Sequence, residues 1–198
     1  MAASTTAEVH RSESFEVNKT KIQIEQRDYR LGGWVTVMDI KGEIGPDAIF
    51  LVQSLLDERK PLSQGTPSDA PEILFLLVSS GGYARDGIAL GELIRQYNST
   101  SIAMNNCHSS CAFAYLGGHR RGLEGNISFH MPYVKDGNVI RCQDNADYVR
   151  DYFIDMLDDA DGERLYDRMK LYCSPNEGWS ISDKRTATLY GLHTFAVD

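Results

Sequence analysis

The sequence has little basic charge and no long uninterrupted apolar run. Its 198 residues include 20 Lys and Arg against 28 Asp and Glu, so the formal net charge is −8. Basic residues are nowhere concentrated enough to neutralise phosphates, which argues against nucleic acid or an anionic membrane as the main partner. The longest segment without Asp, Glu, Lys or Arg runs from Gln96 to Gly118, but it contains many Asn, Ser and Thr residues. We therefore expect no membrane span.

Cysteine is also scarce. The four cysteines, Cys107, Cys111, Cys142 and Cys173, are too few for a scaffold built from disulfides. Their even number permits two bridges in an oxidising compartment and four thiols in a reducing one. The first 18 residues have neither the basic nor the apolar segment of a signal peptide. The chain as written is typical of a cytoplasmic protein, but a mature exported chain with Met1 added would look the same, so the compartment stays open.

The sequence does have an ordinary globular composition, with 42% hydrophobic and 24% charged residues. A chain of this length buries most of its surface in one core, so a single domain over residues 19–198 is expected. Residues 1–18 are rich in Ser, Thr and Glu without a periodic apolar pattern, which predicts a flexible N-terminal tail. From Lys19 onward, short apolar runs alternate with amphipathic stretches, as in an α/β domain.

Apolar runs and helical spacings locate the elements of this domain. Strands are predicted at Trp34–Ile40, Ile73–Val78, Ser101–Met104 and Asn126–His130. Helices are predicted from Asp47 to about Arg59, from about Ile88 to Tyr97, and over Ala146–Tyr172, where Gly162 can divide the stretch in two. A polar loop is predicted over Lys60–Pro71, and a helix capped by Gly191 and then a short strand near the C-terminus.

Two predicted strand-to-helix turns carry the residue types needed for acyl chemistry. A helix N-terminus presents unpaired backbone N–H groups that can hold an oxyanion, and Gly81-Gly82 lets a backbone approach a ligand closely. Ser110 stands where the second helix begins, so its hydroxyl is expected to be exposed, with the Cys111 N–H beside it. His130, on the following strand, could supply the base that a serine needs. Together they make a nucleophile, a base and two oxyanion donors.

Each of these residues also has a plainer explanation. Ser110 or Ser109 could simply cap a helix, and a Gly-Gly pair after a strand is commonly only a turn. A histidine in an apolar strand is more often a hydrogen-bonded core residue than a base. His108 is a rival base, although a neighbour two residues from the serine usually points elsewhere. The order and separation of the residues, rather than any one of them, favour the catalytic interpretation.

These segments resemble the Clp-type proteolytic subunits of the ClpP/crotonase superfamily. The run ILFLLVSSGGYARDGIALGELI is similar to their strand, Gly-Gly turn and helix, with Ser80 in place of the family's proline. SSCAFAYLGG resembles the nucleophile helix, with 29 residues from Gly81 to Ser110, and ISFHMP resembles the strand that ends in the catalytic histidine. WVTVMDIKGEIGPDAIFLVQSLL upstream and WSISDKRTATLYGL downstream extend the likeness over roughly Val35 to Val197.

The resemblance implies a role for each matching residue. Ser110 becomes the nucleophile and His130 the general base. The backbone N–H groups of Gly81 and Cys111 become the oxyanion donors.

The third member of the triad is where this chain departs from the family. The family places an aspartate shortly before its closing segment, where this chain has Asn176 and Glu177. Either side chain can accept a hydrogen bond from the imidazole Nδ1–H. Glu177 is slightly favoured, because an asparagine would stabilise the imidazolium less. Asp183, the nearest aspartate, falls in the expected final helix.

Cys107 and Cys111 bracket the serine in CHSSC, a pattern more similar to exported bacterial relatives of the family than to its cytoplasmic subunits. They are interpreted either as core hydrophobes or as a disulfide across the nucleophile turn. A metal site with His108 or His130 is disfavoured, because no second ligand pair has the spacing that zinc needs. The 20-residue separation of serine and histidine is shorter than in the family, so the turn at Gly117–Gly125 is trimmed.

The resemblance implies a spiral α/β fold of β-β-α units with a long C-terminal helix, through which homo-oligomers form. It also implies a serine peptidase or related hydrolase that cleaves peptide or other acyl bonds and needs no metal or cofactor. The resemblance further implies a peptide or protein substrate, and leaves any unfoldase or regulatory partner unknown. Two alternatives stand beside it: a non-catalytic scaffold with a degraded triad, and a crotonase-like acyl-CoA enzyme. The Ser110–His130 pair argues against the acyl-CoA enzyme, as does the lack of a basic cluster for the CoA phosphates.

Overall fold

The computed structural model describes residues 9–28, 34–58, 73–97, 99–143, 146–174 and 176–196. The first half contains strands β1 (Val9–Val17), β2 (Thr20–Asp28) and β3 (Trp34–Ile44), helix α1 (Pro46–Glu58), strand β4 (Ile73–Gly82), helix α2 (Ala84–Gln96) and strand β5 (Thr100–His108). The second half contains helix α3 (Ser110–Leu116), strands β6 (Arg120–Phe129), β7 (Tyr133–Asp136) and β8 (Val139–Cys142), helices α4 (Asp147–Met156) and α5 (Asp159–Met169), strand β9 (Trp179–Ile181) and helix α6 (Lys184–Leu189).

One mixed sheet of seven strands, in the order β1-β2-β3-β4-β5-β6-β9, forms the centre of the molecule. Strands β3 to β6 run parallel, whereas β1 and β2 at one end and β9 at the other are antiparallel to their neighbours. Strands β7 and β8 form a separate two-stranded hairpin. Because β4 and β5 are parallel, their carboxyl ends meet at one edge of the sheet, and α2 and α3 begin there.

The hydrophobic core joins the sheet to the helices packed on it, and α3 lies inside this core. In β4, buried Ile73, Phe75 and Leu77 alternate with half-buried residues, as expected for a strand whose successive side chains point to opposite faces. All seven residues of α3 are buried, so this short helix lies inside the molecule instead of on its surface. Burial of α3 on all sides fixes the position of its first turn.

Close packing of α2 against α3 depends on glycine. A Cβ atom added at Gly87 would lie 2.2 Å from the carbonyl oxygen of Ser110, and one added at Gly117 would lie 2.0 Å from the carbonyl oxygen of Gly91. No side chain fits at such distances. The start of α3 is therefore held directly against the first turns of α2.

The four strands predicted between Trp34 and His130 and the helices predicted from Asp47 and about Ile88 are confirmed as elements, and the strands are longer than predicted. The predicted strand Trp34–Ile40 lies in β3, which continues to Ile44. The predicted strand Ile73–Val78 lies in β4, which continues to Gly82. The helix predicted from Asp47 is α1, which starts at Pro46. The predicted loop at Lys60–Pro71 lies outside the described residues.

The expectation of a flexible tail over residues 1–18 is wrong for Val9–Val17. This segment is strand β1, which pairs with β2 in antiparallel register, and Phe15 packs against the core. The polar composition hides this strand because most of its other side chains are exposed. Residues 1–8 lie outside the described residues.

The long helix predicted over Ala146–Tyr172 is two helices, α4 and α5. The helical conformation is interrupted at Leu157 and Asp158. The Asp158 carboxylate accepts a hydrogen bond from the Asp161 N–H and caps α5. The break is not at Gly162, which lies inside α5 against the backbone of Phe153 and Ile154.

The end of the chain also differs from the prediction. Helix α6 ends before Gly191, which has a φ of 65° as expected for a C-terminal cap, but residues 192–196 form no strand. Within the described ranges, no helix is both long enough and apolar enough to cross a membrane.

Candidate active site

A cavity of about 900 Å³ opens where β4 and β5 end and α2 and α3 begin. Its lining includes Gly81 and Tyr83 from the first of these turns, Ser109 from the second, and His130 after β6. The hairpin of β7 and β8 contributes Tyr133 and its neighbours to the opposite wall. Residues that are distant in sequence thus face one space, as the order of the predicted motifs suggested.

Ser109 occupies the turn between β5 and α3 in a strained conformation. Its φ is 56° and its ψ is −123°, a combination that a residue with a Cβ rarely adopts. The backbone holds it there: the Ser109 N–H donates to the Ser128 carbonyl at 2.9 Å, and the Ala112 N–H donates to the Ser109 carbonyl at 2.9 Å. The Ser109 hydroxyl does not cap the helix, so it is available to a ligand in the cavity.

The turn after β4 lies directly against Ser109. Gly81 has a φ of 110°, and a Cβ atom added there would lie 2.8 Å from the Ser109 Cβ and 3.3 Å from its Oγ. Glycine is therefore required at this position, both for its backbone conformation and for the close approach of the two turns. This contact brings the Gly-Gly turn and the serine corner together.

Ser110 is not exposed, which corrects the sequence-based expectation. Its side chain is 0% accessible, and its Oγ has no hydrogen-bond partner among the described residues. It is the first residue of α3, and its backbone and Cβ pack against Gly87 of α2. The two serines are adjacent, but the turn directs Ser109 to the cavity and the start of the helix directs Ser110 into the α2–α3 interface.

His130 is 7% exposed and borders the cavity. Its Nδ1 lies 2.9 Å from the Met131 carbonyl oxygen. A proton on Nδ1 makes that contact a hydrogen bond and leaves a lone pair on Nε2, the arrangement that a general base needs. Burial lowers the pKa of His130, the Met131 carbonyl partly opposes this, and nearby His108 lowers the pKa further. A neutral imidazole is thus favoured at neutral pH.

Neither residue expected to orient the imidazole is brought to it. Asn176 and Glu177 are exposed, and among the described residues the hydrogen bonds of both backbone N–H groups go to Ser174. Asp183 caps α6 by accepting hydrogen bonds from the backbone and hydroxyl of Thr186. The acceptor at His130 Nδ1 is a main-chain carbonyl, and a carbonyl leaves no signal in the sequence.

The two expected oxyanion donors are placed differently from each other. The Gly81 N–H lies beside the serine corner but donates to Ser79 Oγ at 2.9 Å, so this donor is already engaged. Cys111 is the second residue of α3 and is fully buried. The residue that follows Ser109 is Ser110, the first residue of α3.

Two disulfides stabilise the surroundings of the cavity. Cys107 is bonded to Cys111 across the Ser109 turn, joining the end of β5 to the first turn of α3. Cys142 is bonded to Cys173, a pair that the sequence did not indicate, and joins the β7–β8 hairpin to the segment after α5. In the part of the chain that the structure describes, no group of three His, Cys, Asp or Glu residues is arranged to hold a metal ion.

Comparison with solved structures identifies the fold. A point mutant of the 1510-N membrane-bound stomatin-specific protease is similar with a TM-score of 0.58 and 15% identity, over 80% of this chain and 76% of that one. ClpP1 from Listeria monocytogenes is similar with a TM-score of 0.55 and 17% identity, over 79% of this chain and 88% of that one. The chain has the fold of the ClpP-like proteases. The fold class expected from the sequence is thereby confirmed.

A further similar structure is a second mutant of the stomatin-specific protease in complex with a substrate peptide, with a TM-score of 0.55 and 16% identity over 80% of this chain and 72% of that one. No protein-family model matches the chain, and no curated protein matches it in sequence. At identities this low, the structural similarity shows the ClpP-like fold alone. The roles of single residues rest on the geometry of this chain.

Proposed function

We propose that the protein is a ClpP-like serine peptidase whose nucleophile is Ser109 and whose general base is His130. The observation that carries the proposal is the conformation of Ser109, a strained serine at a strand-to-helix corner that borders the same cavity as a buried histidine. Serine nucleophiles are commonly presented on such sharp turns, which expose the hydroxyl and place the next backbone N–H beside it. Ser110, the residue favoured from sequence spacing, is inaccessible and serves packing instead.

The proposed reaction uses a peptide or other acyl substrate bound in the cavity. Ser109 Oγ attacks the carbonyl carbon while His130 Nε2 takes the hydroxyl proton. The negative charge on the carbonyl oxygen is stabilised by the Ser110 N–H, and the Gly81 N–H joins it only when its hydrogen bond to Ser79 Oγ is released. The proton on His130 then passes to the leaving amine, and water, activated by the same imidazole, releases the acyl group from Ser109.

The main-chain carbonyl of Met131 sets the tautomer of His130 but carries no full negative charge. A carboxylate in that position would stabilise the imidazolium more strongly. We therefore expect slower turnover than from a triad that contains an aspartate. The alternative of a non-catalytic scaffold is favoured by the same observation, and the experiment below separates the two.

Labelling with a fluorophosphonate probe tests the nucleophile. We expect the wild-type protein to be labelled at Ser109, and Ser109→Ala to remove the labelling by at least 100-fold, because the attacking oxygen is gone. Ser110→Ala is the matched control: its Oγ is buried without a partner, so its loss should leave both the fold and the labelling intact. Labelling that follows Ser110 would restore the sequence-based assignment, and a wild-type protein that is never labelled would support the scaffold.

The remaining expectations concern partners. A peptide or protein substrate is part of the proposal, and self-association into a homo-oligomer stays a prediction. The crotonase-like alternative relies on backbone donors alone and does not require the Ser109 hydroxyl and His130 imidazole that border this cavity.

A further inference from the structure

Asp86 is a carboxylate in the cavity wall that the proposed reaction does not use. It lies in the first turn of α2 and borders the same cavity as Ser109 and His130. Its Oδ2 is closed off from solvent and has no hydrogen-bond partner among the described residues. Burial raises the pKa of this carboxyl group. The cavity that Ser109 borders therefore has in its wall a carboxylate with one oxygen that lacks a hydrogen-bond partner.

The position of Asp86 relative to the corner follows from its neighbour in the chain. Gly87 packs so closely on α3 that an added Cβ would lie 2.7 Å from the Ser110 Cα. The first turn of α2 is thereby held against the start of α3, and the cavity that Ser109 borders is also lined by Asp86.

Two cations of the chain, Arg85 and Lys135, border the same cavity, but neither donates a hydrogen bond to Asp86 Oδ2. The guanidinium of Arg85 lies 5.7 Å from the centre of the Tyr148 ring. Lys135 also borders the cavity but is exposed on the β7–β8 hairpin, where solvent weakens its field. The other acidic residue of the lining, Glu43, is exposed and paired with Lys19. Among the described acidic residues of the lining, Asp86 is thus the one with a buried oxygen that lacks a hydrogen-bond partner.

We propose that Asp86 forms a subsite that selects a Lys or Arg side chain in the peptide, adjacent to the bond that Ser109 attacks. An ammonium or guanidinium group supplies both the positive charge and the N–H donors that a partly buried carboxylate lacks. The inference rests on the proposed peptidase function and adds its substrate class. A purely structural explanation also exists, since an acidic residue in the first turn of a helix stabilises that helix.

Matched fluorogenic peptides distinguish these explanations. The peptides carry Lys, Arg, norleucine or Glu at each position next to the scissile bond, and the measured quantity is the ratio of kcat/KM for Lys over norleucine. We expect the wild type to prefer Lys, Asp86→Asn to reduce the ratio by about 10-fold or more, and Asp86→Lys to shift the preference toward Glu. Glu92→Gln removes a similar charge from an exposed position on the same helix and should leave the ratio unchanged.

A binding measurement separates failure of this inference from failure of the proposed function. In the Ser109→Ala background, Lys and norleucine peptides are compared by affinity, which needs no catalysis. Tighter binding of the Lys peptide that disappears with Asp86→Asn supports the subsite even if the wild type proves inactive. Equal affinities, or a Lys preference that persists in Asp86→Asn, overturn it. A change confined to the melting temperature would assign Asp86 to helix stability and would also overturn it.

Discussion

Ser109 and Ser110 are adjacent in the sequence but lie in different environments. Ser109 borders the cavity, whereas Ser110 is buried between α2 and α3. The CHSSC motif and its spacing from the Gly81-Gly82 turn locate the strand-to-helix corner to within one residue. They do not distinguish between two adjacent serines. The choice between them depends on where the first turn of α3 begins, and that is set by the packing of Gly87 against Ser110. Tertiary contact, rather than local sequence, buries Ser110 and leaves Ser109 at the cavity.

The same limit applies to the group that orients His130. Acidic and amide side chains near position 176 were reasonable expectations, because such side chains accept from Nδ1–H. The acceptor in the structure is the carbonyl of the next residue, Met131, which any residue type would provide. Asp86 was missed for a related reason: its sequence context is that of a common first-turn acid, and only its burial distinguishes it.

The pH dependence of kcat/KM should report the environment of His130. The neutral imidazole is the active form, so the rate should rise with pH and level off once His130 is deprotonated. Burial lowers its pKa, so the midpoint should lie below the ordinary value of about 6.5. His108→Asn removes a group that also lowers this pKa and should move the midpoint upward. A midpoint above 6.5, or a rate independent of pH while chemistry is limiting, would rule out this base.

At the scale of elements, apolar periodicity located β3, β4 and α1 because each buries a continuous apolar face. It did not locate the β1–β2 hairpin, since the outer strand is mostly exposed and its pairing depends on the sheet edge formed by β3. Periodicity also could not find the break between α4 and α5, because the apolar spacing continues across it. A local cap at Asp158 ends that continuity.

The disulfide between Cys142 and Cys173 should stabilise both the fold and the cavity wall. It closes a loop with a sequence separation of 31, for which chain entropy predicts a loss of about 3 to 4 kcal/mol in the free energy of unfolding when it is removed. The double variant Cys142→Ser/Cys173→Ser should show this loss in denaturant titrations. Its KM for peptides should also rise, since the attached hairpin lines the cavity.

Val139→Ser is the control for this prediction. It alters an exposed residue of the same hairpin and should change the free energy of unfolding by less than about 0.5 kcal/mol. If the double cysteine variant is as stable as the unreduced wild type, the disulfide does not constrain the chain as described.

At the scale of the whole molecule, the resemblance of the ordered motifs to those of Clp-type subunits was enough to predict the fold. A glycine turn after a buried strand, a serine corner after the next strand and a histidine after the third are placed together only if those strands are parallel neighbours. The structure has β4, β5 and β6 in that arrangement. The partner of His130 Nδ1 was not predicted, because it is a main-chain carbonyl that sequence order does not encode.

Stability against acid depends on two buried histidines from different parts of the sheet. His193 is buried, and its Nδ1 accepts a hydrogen bond from the Leu123 N–H at 3.2 Å, which requires Nδ1 to be unprotonated. Burial lowers the pKa of His193, Lys184 lowers it further, and Glu124 opposes them. The pKa of His130 is also lowered, mainly by burial. Both histidines bind protons more readily in the unfolded chain than in the folded one.

The free energy of unfolding should therefore fall as pH decreases from about 6.5 toward the folded-state pKa values, and stay nearly constant above neutrality. Each unit by which a folded pKa lies below its unfolded value amounts to about 1.4 kcal/mol. The raised pKa of Asp86 has the opposite effect. Its contribution to the free energy of unfolding is fully present below about pH 3.8 and is lost as the pH rises through the pKa of the folded state. Denaturant titrations at pH 5.0 and 7.5 measure the difference. His193→Gln should reduce this difference, because an amide can accept from Leu123 without titrating. Equal stability of the wild type at both pH values would contradict the prediction.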